Sequence, residues 1–240
     1  MRKEWHVGIV IPARNEQEFI GTVIESIPDF VDKIIVVNDG SSDNTKKIVE
    51  EKINAKNKIE LINLAGEGVG HAIDCGHQYL LDNLQKPFVS VVMAGDGQMD
   101  VEDLPHVIEP IIQGQTDHVK GNRFHHPDGT GNMPATRKLA SKLLGFFTTL
   151  AAGRQVTDPQ CGYTATSHIV LENWNWNVSW KGYGYPNYWL IEMSKKSFRL
   201  KEVPVKSVYA NEKSGIKNFS FFISVGLMTV SYTHLRAHET

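Results

Sequence analysis

The chain has 240 residues, 41% of them hydrophobic and 22% charged, with a formal net charge of −2. A chain of this length buries a sizeable core without disulfides or a structural metal, its composition excludes wholesale disorder, and the lack of a basic excess argues against a nucleic-acid partner. Cys75 and Cys161 are the only cysteines; they exclude a disulfide framework and fit a reducing compartment.

Residues 7–11 form a short β-rich apolar run that ends at Pro12 and Arg14, which is too short for a signal peptide. Helical spacing follows over 16–26, with Phe19, Ile20, Val23, Ile24 and Ile27 on one face. Residues 34–37 predict a second buried strand. Residues 45–53 predict a charged helix with Ile48, Val49 and Ile53 together. A strand at 59–62, a helix over 69–84, a strand at 88–93, a helix over 101–112 and a strand beginning at 117–120 continue the alternation. Continuous apolar strands alternating with helices predict an α/β fold with a mostly parallel sheet covered by helices on both faces.

The second half reads differently. Residues 123–133 are a loop rich in Gly, Pro, Asp and His, and 135–152 predict a long helix carrying Leu139, Leu143, Phe146, Phe147 and Leu150. A polar loop at 157–163 precedes an aromatic cluster at 174–189, whose rings serve equally as core or as surfaces for sugar stacking. A helix over 188–196 and a strand over 199–205 complete the pattern. Residues 219–230 are apolar-rich but about half the length of a membrane span, and read equally as a core helix or as an interfacial segment.

Ligands of such sheets bind beyond the carboxyl ends of the strands. The first strand is followed by Pro12-Ala13-Arg14-Asn15-Glu16, and the second by Asn38-Asp39-Gly40-Ser41-Ser42-Asp43-Asn44-Thr45. The fourth is followed by Ala94-Gly95-Asp96-Gly97-Gln98-Met99-Asp100. Ser42 or Asp43 suits a helix N-cap, whereas Asp39, at the strand end, can accept hydrogen bonds from a nucleobase or a ribose. Asp96 and Gln98 are hard oxygen ligands of the kind that hold Mg²⁺ or Mn²⁺, and in an extended chain their i, i+2 spacing points them to one side. Asp100, Glu102 and Asp103 read as turn and capping residues, and Gly66-Glu67-Gly68-Val69-Gly70 as a helix-entry turn.

These loops resemble those of family 2 glycosyltransferases of the GT-A fold, most of all the branch of dolichyl-phosphate mannose synthases and polyprenyl-phosphate glycosyltransferases. The similarity continues through Gly121-Asn122-Arg123-Phe124, Thr157-Asp158-Pro159-Gln160-Cys161-Gly162-Tyr163, Val203-Pro204-Val205 and Glu212-Lys213-Ser214-Gly215-Ile216-Lys217. The resemblance implies that Pro12, Ala13, Asn15, Glu16, Asp39 and Gly95 hold the nucleotide. It implies that Asp96, assisted by Gln98, binds the metal, that Arg123 lies near the donor phosphates and that Asp158 faces the reaction centre. Lys213, Ser214 and Lys217 would close over the phosphates or bind an acceptor phosphate. Where the family's Asp-x-Asp motif begins with Asp this chain has Ala94, and Thr164 stands where an arginine often follows the Asp158 loop.

The activity so implied is transfer of a sugar from a UDP- or GDP-sugar to a polyprenyl phosphate, by a metal-assisted inverting displacement at the inner, cytoplasmic face of a membrane. An ionised phosphate acceptor needs no general base, whereas a sugar hydroxyl does. Two other readings stand beside it: a sugar-phosphate nucleotidyltransferase, and a catalytically impaired nucleotide-sugar-binding protein. Residues 1–230 read as one domain, with 1–121 on the nucleotide-sugar side and 122–230 on the acceptor side. Residues 231–240 break the pattern and read as a non-native tail.

Overall fold

The computed structural model describes residues 5–208, apart from 55, 56, 131, 132, 134 and 179. The strands are β1 (His6–Ala13), β2 (Lys33–Asp39), β3 (Ile59–Leu64), β4 (Phe88–Val92), β5 (His118–Asn122), β6 (Thr164–Ser167) and β7 (Leu200–Pro204). The helices are α1 (Ile20–Ser26), α2 (Thr45–Ile53), α3 (Val69–Asn83), α4 (Leu104–Ile112), α5 (Ala135–Ala152), α6 (His168–Glu172) and α7 (Tyr185–Lys195). One sheet runs β3-β2-β1-β4-β6-β5-β7. Only β6 is antiparallel to its neighbours, so the predicted mostly parallel α/β sheet is what forms.

Side chains of β1 alternate between the faces, and this splits the core. Val7, Ile9 and Ile11 pack under α1, α2 and α4. Val10 packs with Ile73 and Leu80 of α3 and with Trp189 and Ile191 of α7. Every residue of β4 is buried, as expected for a central strand covered on both faces.

Several elements differ from expectation, among them helix α6, which the sequence reading left unassigned, and α7, which starts at Tyr185 and not at 188. Helix α1 starts at Ile20, not at 16: residues 17–19 form a turn, and the amides of Glu16 and Gln17 are taken by the side chains of Thr45 and Asp43. The predicted helix over 101–112 is a 3-10 turn (Val101–Asp103) followed by α4, with Pro105 in the first turn, where a missing N–H costs nothing. Strand β6, Thr-Ala-Thr-Ser, was not predicted: it has no apolar run, yet it is buried throughout between β4 and β5.

Helix α5 forms at the predicted residues. It turns Leu144, Ala151 and Ala152 into the core, and Thr148 accepts from Asn187 Nδ2 at 2.6 Å. Leu139, Leu143, Phe146, Phe147 and Leu150 point the other way and are 38–63% exposed. Among the described residues no helix is long and apolar enough to cross a membrane. Residues 219–230 and the tail 231–240 lie outside the described residues.

Candidate active site

The order β3-β2-β1-β4 reverses direction at β1, which pairs with both β2 and β4. Such a switch point opens a crevice at the carboxyl ends of the strands. Pro12 and Ala13 end β1, Asp39 ends β2, and Gly95 and Asp96 follow β4. The exit of β4 stays against β1, because Gly95 N–H donates to the Pro12 carbonyl at 3.2 Å. Strand β5 runs parallel to β4, since both are antiparallel to β6. Arg123, directly after β5, and the 157–163 loop, directly before β6, therefore emerge at this same edge.

The first two loops are stitched side chain to backbone. Asn15 N–H donates to Ser41 Oγ at 2.9 Å, Ser42 N–H to Asn15 Oδ1 at 2.8 Å, and Glu16 N–H to Thr45 Oγ1 at 2.8 Å. Asn15 takes a left-handed backbone, φ 58°, which asparagine tolerates better than most residues. Its side chain thus ties the two loops together at this edge. Neither expected cap occupies the N-cap position of α2, which is Asn44 without a side-chain cap bond; Asp43, one residue earlier, accepts from the Thr45 amide at 2.9 Å, and Ser42 Oγ donates to Asn15. Burial would raise the pKa of Asp43, but its bonds to Thr45 outweigh that and lower it.

Asp39 is 3% exposed, and both carboxylate oxygens are engaged: Oδ1 accepts from Glu67 N–H at 2.6 Å and Oδ2 from Gly68 N–H at 2.9 Å. Each oxygen has a second lone pair. The 66–70 segment is the predicted helix-entry turn, with Gly68 as the N-cap of α3. It is also a seat for a distant loop. Gly70 N–H donates to the Lys181 carbonyl at 2.8 Å, and a Cβ on Gly70 would lie 1.8 Å from the Trp180 carbonyl oxygen.

Asp96 and Gln98 do not lie on an extended chain. Residues 96–98 form a tight turn in which Gln98 N–H donates to Asp96 Oδ1 at 3.0 Å and Gly97 has φ +73°. The i, i+2 alternation is therefore lost. Asp100 and Asp103 serve as scaffold, as expected: Asp100 caps the 3-10 turn through Glu102 N–H, and Asp103 accepts the Lys206 amide at 2.7 Å. The Asp96 loop is bound to the chain after β7 by the Met99–Ser207 bridge and by Val208 N–H donating to the Gln98 carbonyl at 3.0 Å. Among the described residues no three His, Cys, Asp or Glu side chains gather as a metal site. The donor set of Asp96 and Gln98 fits an ion that arrives with a diphosphate and keeps several waters, since Mg²⁺ commonly takes only one or two protein carboxylates.

Arg123 and Asp158 meet as one unit. Arg123 Nε lies 2.7 Å from Asp158 Oδ2, Nη2 lies 2.8 Å from Oδ1, and the Arg123 amide donates to Oδ2 at 3.1 Å. Asp158 is fully buried and Arg123 nearly so. Burial pushes the Asp158 pKa up, but the Arg123 bonds and the charges of Arg123 and Lys120 outweigh it and hold the carboxyl below its usual range. Lys120 is buried beside them, donates to the Cys161 carbonyl, and has its pKa lowered by burial. An enclosed carboxylate committed to an arginine is not available as a general base.

The structure divides the aromatic cluster. Trp174 stacks on Trp189, with centroids 4.0 Å apart, and both are buried with Tyr185 and Tyr188. Tyr183 is half exposed at the site edge. Its pKa is raised, first by partial burial, then by Glu16 against the opposing charge of Arg14, and further by Asp96 and Asp39. Tyr183 is one of the cluster rings that read equally as core or as a sugar-stacking surface, and it lies outside the core; Arg14, whose guanidinium lies against Gly66, carries no role of its own in the sequence. Lys213, Ser214 and Lys217 lie outside the described residues.

The model of the family described as Glycosyl transferase family 2 matches residues 8–174. The UDP-N-acetylglucosamine–dolichyl-phosphate N-acetylglucosaminyltransferase of Methanococcus voltae is 33% identical over 222 residues, covering 85% of this chain and 86% of that protein. The polyprenol monophosphomannose synthase of Mycolicibacterium smegmatis is 27% identical over 221 residues, covering 88% of this chain and 80% of that protein. Glucosyl-3-phosphoglycerate synthase from Mycobacterium tuberculosis, solved with Mn²⁺, uridine diphosphate and phosphoglyceric acid, shares the fold with a TM-score of 0.67 at 17% identity, covering 97% of this chain and 82% of that one.

Proposed function

The chain belongs to glycosyltransferase family 2, and from that premise we propose that it moves a sugar from a UDP- or GDP-sugar to a polyprenyl phosphate, with inversion at the anomeric carbon. The nucleoside would sit against Pro12, Ala13, Glu16 and Asp39, in the crevice that loops 12–16 and 38–45 build together. The diphosphate would lie over Gly95 and Asp96, with Arg123 as a hydrogen-bond donor to the donor phosphates and Asp158 orienting Arg123. Asp96 and Gln98 would hold Mg²⁺ or Mn²⁺, which when bound neutralises the leaving diphosphate. An acceptor phosphate oxygen attacks the anomeric carbon as the bond to the diphosphate breaks.

The observation that carries the choice of acceptor is the buried Arg123–Asp158 pair. A hydroxyl acceptor needs a base near the reaction centre, and the carboxylate expected to face that centre is enclosed and ion-paired. A phosphate acceptor is already ionised near neutral pH and needs only positioning. The names of the Methanococcus and Mycolicibacterium relatives agree with a lipid-linked phosphate. Helix α5 supports a membrane contact: its outward stripe of Leu139, Leu143, Phe146, Phe147 and Leu150 is apolar, and residues 129–157 contain Arg137, Lys138, Lys142 and Arg154 but no Asp or Glu. That combination suits the interface of an anionic bilayer, and with a cytoplasmic nucleotide-sugar donor it supports a reaction at the inner face.

The test is a donor screen on the full chain. UDP-N-acetylglucosamine, UDP-glucose and GDP-mannose are each offered with undecaprenyl phosphate or with 3-phosphoglycerate, with and without Mn²⁺. The expected result is metal-stimulated, solvent-extractable lipid-linked sugar from one donor, lost in Asp96→Ala. Sugar on 3-phosphoglycerate alone, no lipid product from any donor, or full activity of Asp96→Ala under EDTA would each overturn the reading.

A further inference from the structure

Glu202 is half-buried on β7 and stands outside every motif of the proposed nucleotide and metal site. Its carboxylate nevertheless gathers four donors from two other segments. Oε1 accepts from the amides of Thr157 at 2.9 Å and Asp158 at 3.3 Å. Oε2 accepts from Asn122 Nδ2 at 2.8 Å and from the Thr157 hydroxyl. Asn122 in turn accepts the amides of Phe124 and His125 through Oδ1, at 2.9 and 3.2 Å. Both sequence neighbourhoods of the Arg123–Asp158 pair, 122–125 and 157–158, therefore converge on this one acceptor. The far end of the 157–163 loop is held separately, by Lys120 on the Cys161 carbonyl and by Gly121 N–H on the Tyr163 carbonyl at 2.8 Å.

We propose that Glu202 is a positioning residue for sugar transfer: it fixes the Thr157–Asp158 turn against Asn122 and so sets where the Asp158 carboxylate holds the Arg123 guanidinium. The inference rests on the reading above that Arg123 serves the donor phosphates. The chemistry requires a carboxylate. An ionised Glu is acceptor-only and takes four hydrogens on two oxygens. A glutamine of the same shape keeps one acceptor oxygen and turns an NH₂ either towards the Thr157 and Asp158 amides or towards Asn122 Nδ2 and the Thr157 hydroxyl, of which only the hydroxyl can reverse and accept. Misplacement of about an ångström at a group that stabilises developing charge costs turnover more than ground-state binding.

The experiment compares wild type, Glu202→Gln, Asp158→Asn and the double variant, using UDP-N-acetylglucosamine with Mn²⁺ and undecaprenyl phosphate. Glu202→Gln is expected to lower kcat at least tenfold while the donor KM moves less than threefold, because the loops at 12–16 and 39 are untouched. In the Asp158→Asn background the same substitution is expected to change kcat less than twofold. A drop in melting temperature with kcat unchanged, or a tenfold loss that persists without Asp158, would overturn the inference and leave Glu202 as a brace. Backbone amide exchange on the full chain reads the same geometry without turnover. Exchange at Thr157, Asp158 and Arg123 should speed up at least tenfold in Glu202→Gln, and unchanged exchange would overturn the proposal. An inactive wild type with the exchange effect present would count against the transferase reading alone.

Discussion

Asp158 shows how one carboxylate can be decided by its partner. Buried alone it would sit neutral, but with two guanidinium hydrogen bonds it is held ionised. Removing one partner of such a pair leaves an uncompensated buried charge, at a cost of about 3–5 kcal/mol. Asp158→Asn is therefore expected to lower unfolding stability by that order, read by urea denaturation, besides any effect on turnover. Asp39 does a different job. Its oxygens satisfy the amides of Glu67 and Gly68, so Asp39→Ala strands two donors, worth about 1–3 kcal/mol each if they stay dry. The turn that seats the 180–181 carbonyls should loosen with it. Calorimetry with UDP and Mn²⁺ should show affinity falling by about tenfold or more, through loss of both the proposed ligand contact and the turn (about 1.4 kcal/mol per decade).

Helix α5 carries two messages in one sequence. Its small inward face, with Leu144, Thr148, Ala151 and Ala152, packs against α7, while its large apolar side chains face outwards. Because that stripe contributes little burial, Leu143→Ser with Phe146→Ser is expected to leave stability within about 0.5–1 kcal/mol of wild type. Sedimentation with phosphatidylglycerol vesicles should fall severalfold for the same variant; unchanged sedimentation would remove α5 from the membrane contact. Gly70 makes the opposite case at the start of α3. No side chain fits beneath the Trp180 carbonyl, so Gly70→Ala must displace the 180–184 loop and, with it, Tyr183 at the site edge. A loss of about 1–3 kcal/mol is expected from that overpacking, checked by thermal unfolding, with a weaker donor KM.

The molecule as a whole should be acid-sensitive well above the range of ordinary carboxylates. His77 and His118 are buried, each hydrogen-bonded to a hydroxyl: Ser90 Oγ at 2.7 Å and Thr166 Oγ1 at 3.0 Å. Burial lowers His77 to about 3; burial, then Lys120 and His77, lower His118 to about 3. The unfolded histidines titrate near 6.5, so the unfolded state binds more protons between those values. Their contribution is full above pH 6.5 and is lost progressively as pH falls towards 3, by at most about 1.4 kcal/mol per pH unit for each group. The lowered Asp158 adds a further loss below about pH 4, once unfolded carboxyls protonate. Urea titrations at pH 7, 5.5 and 4.5 should show falling stability, and His77→Gln should flatten the slope; a flat profile in wild type would contradict the burial of both rings.

How much of this was legible in the chain follows from how far each signal reaches. Apolar period and turn chemistry are local, so β1 to β5, α2, α3, α5 and the three loops at the strand ends could be read directly, and with them the edge where the site lies. The resemblance of those loops also named the family. Pairing between distant segments has no such local mark. Thr-Ala-Thr-Ser became β6 because β4 and β5 left a gap between them that small, hydroxyl-bearing residues fill. Asp39 found its amides 28 and 29 residues away, and Asp158 found Arg123 at 35. The stripe on α5 was visible as a period, but a period states only that one side is apolar. Whether that side meets core, lipid or solvent depends on what the rest of the fold brings against it, and here the fold brings α7 to the other face.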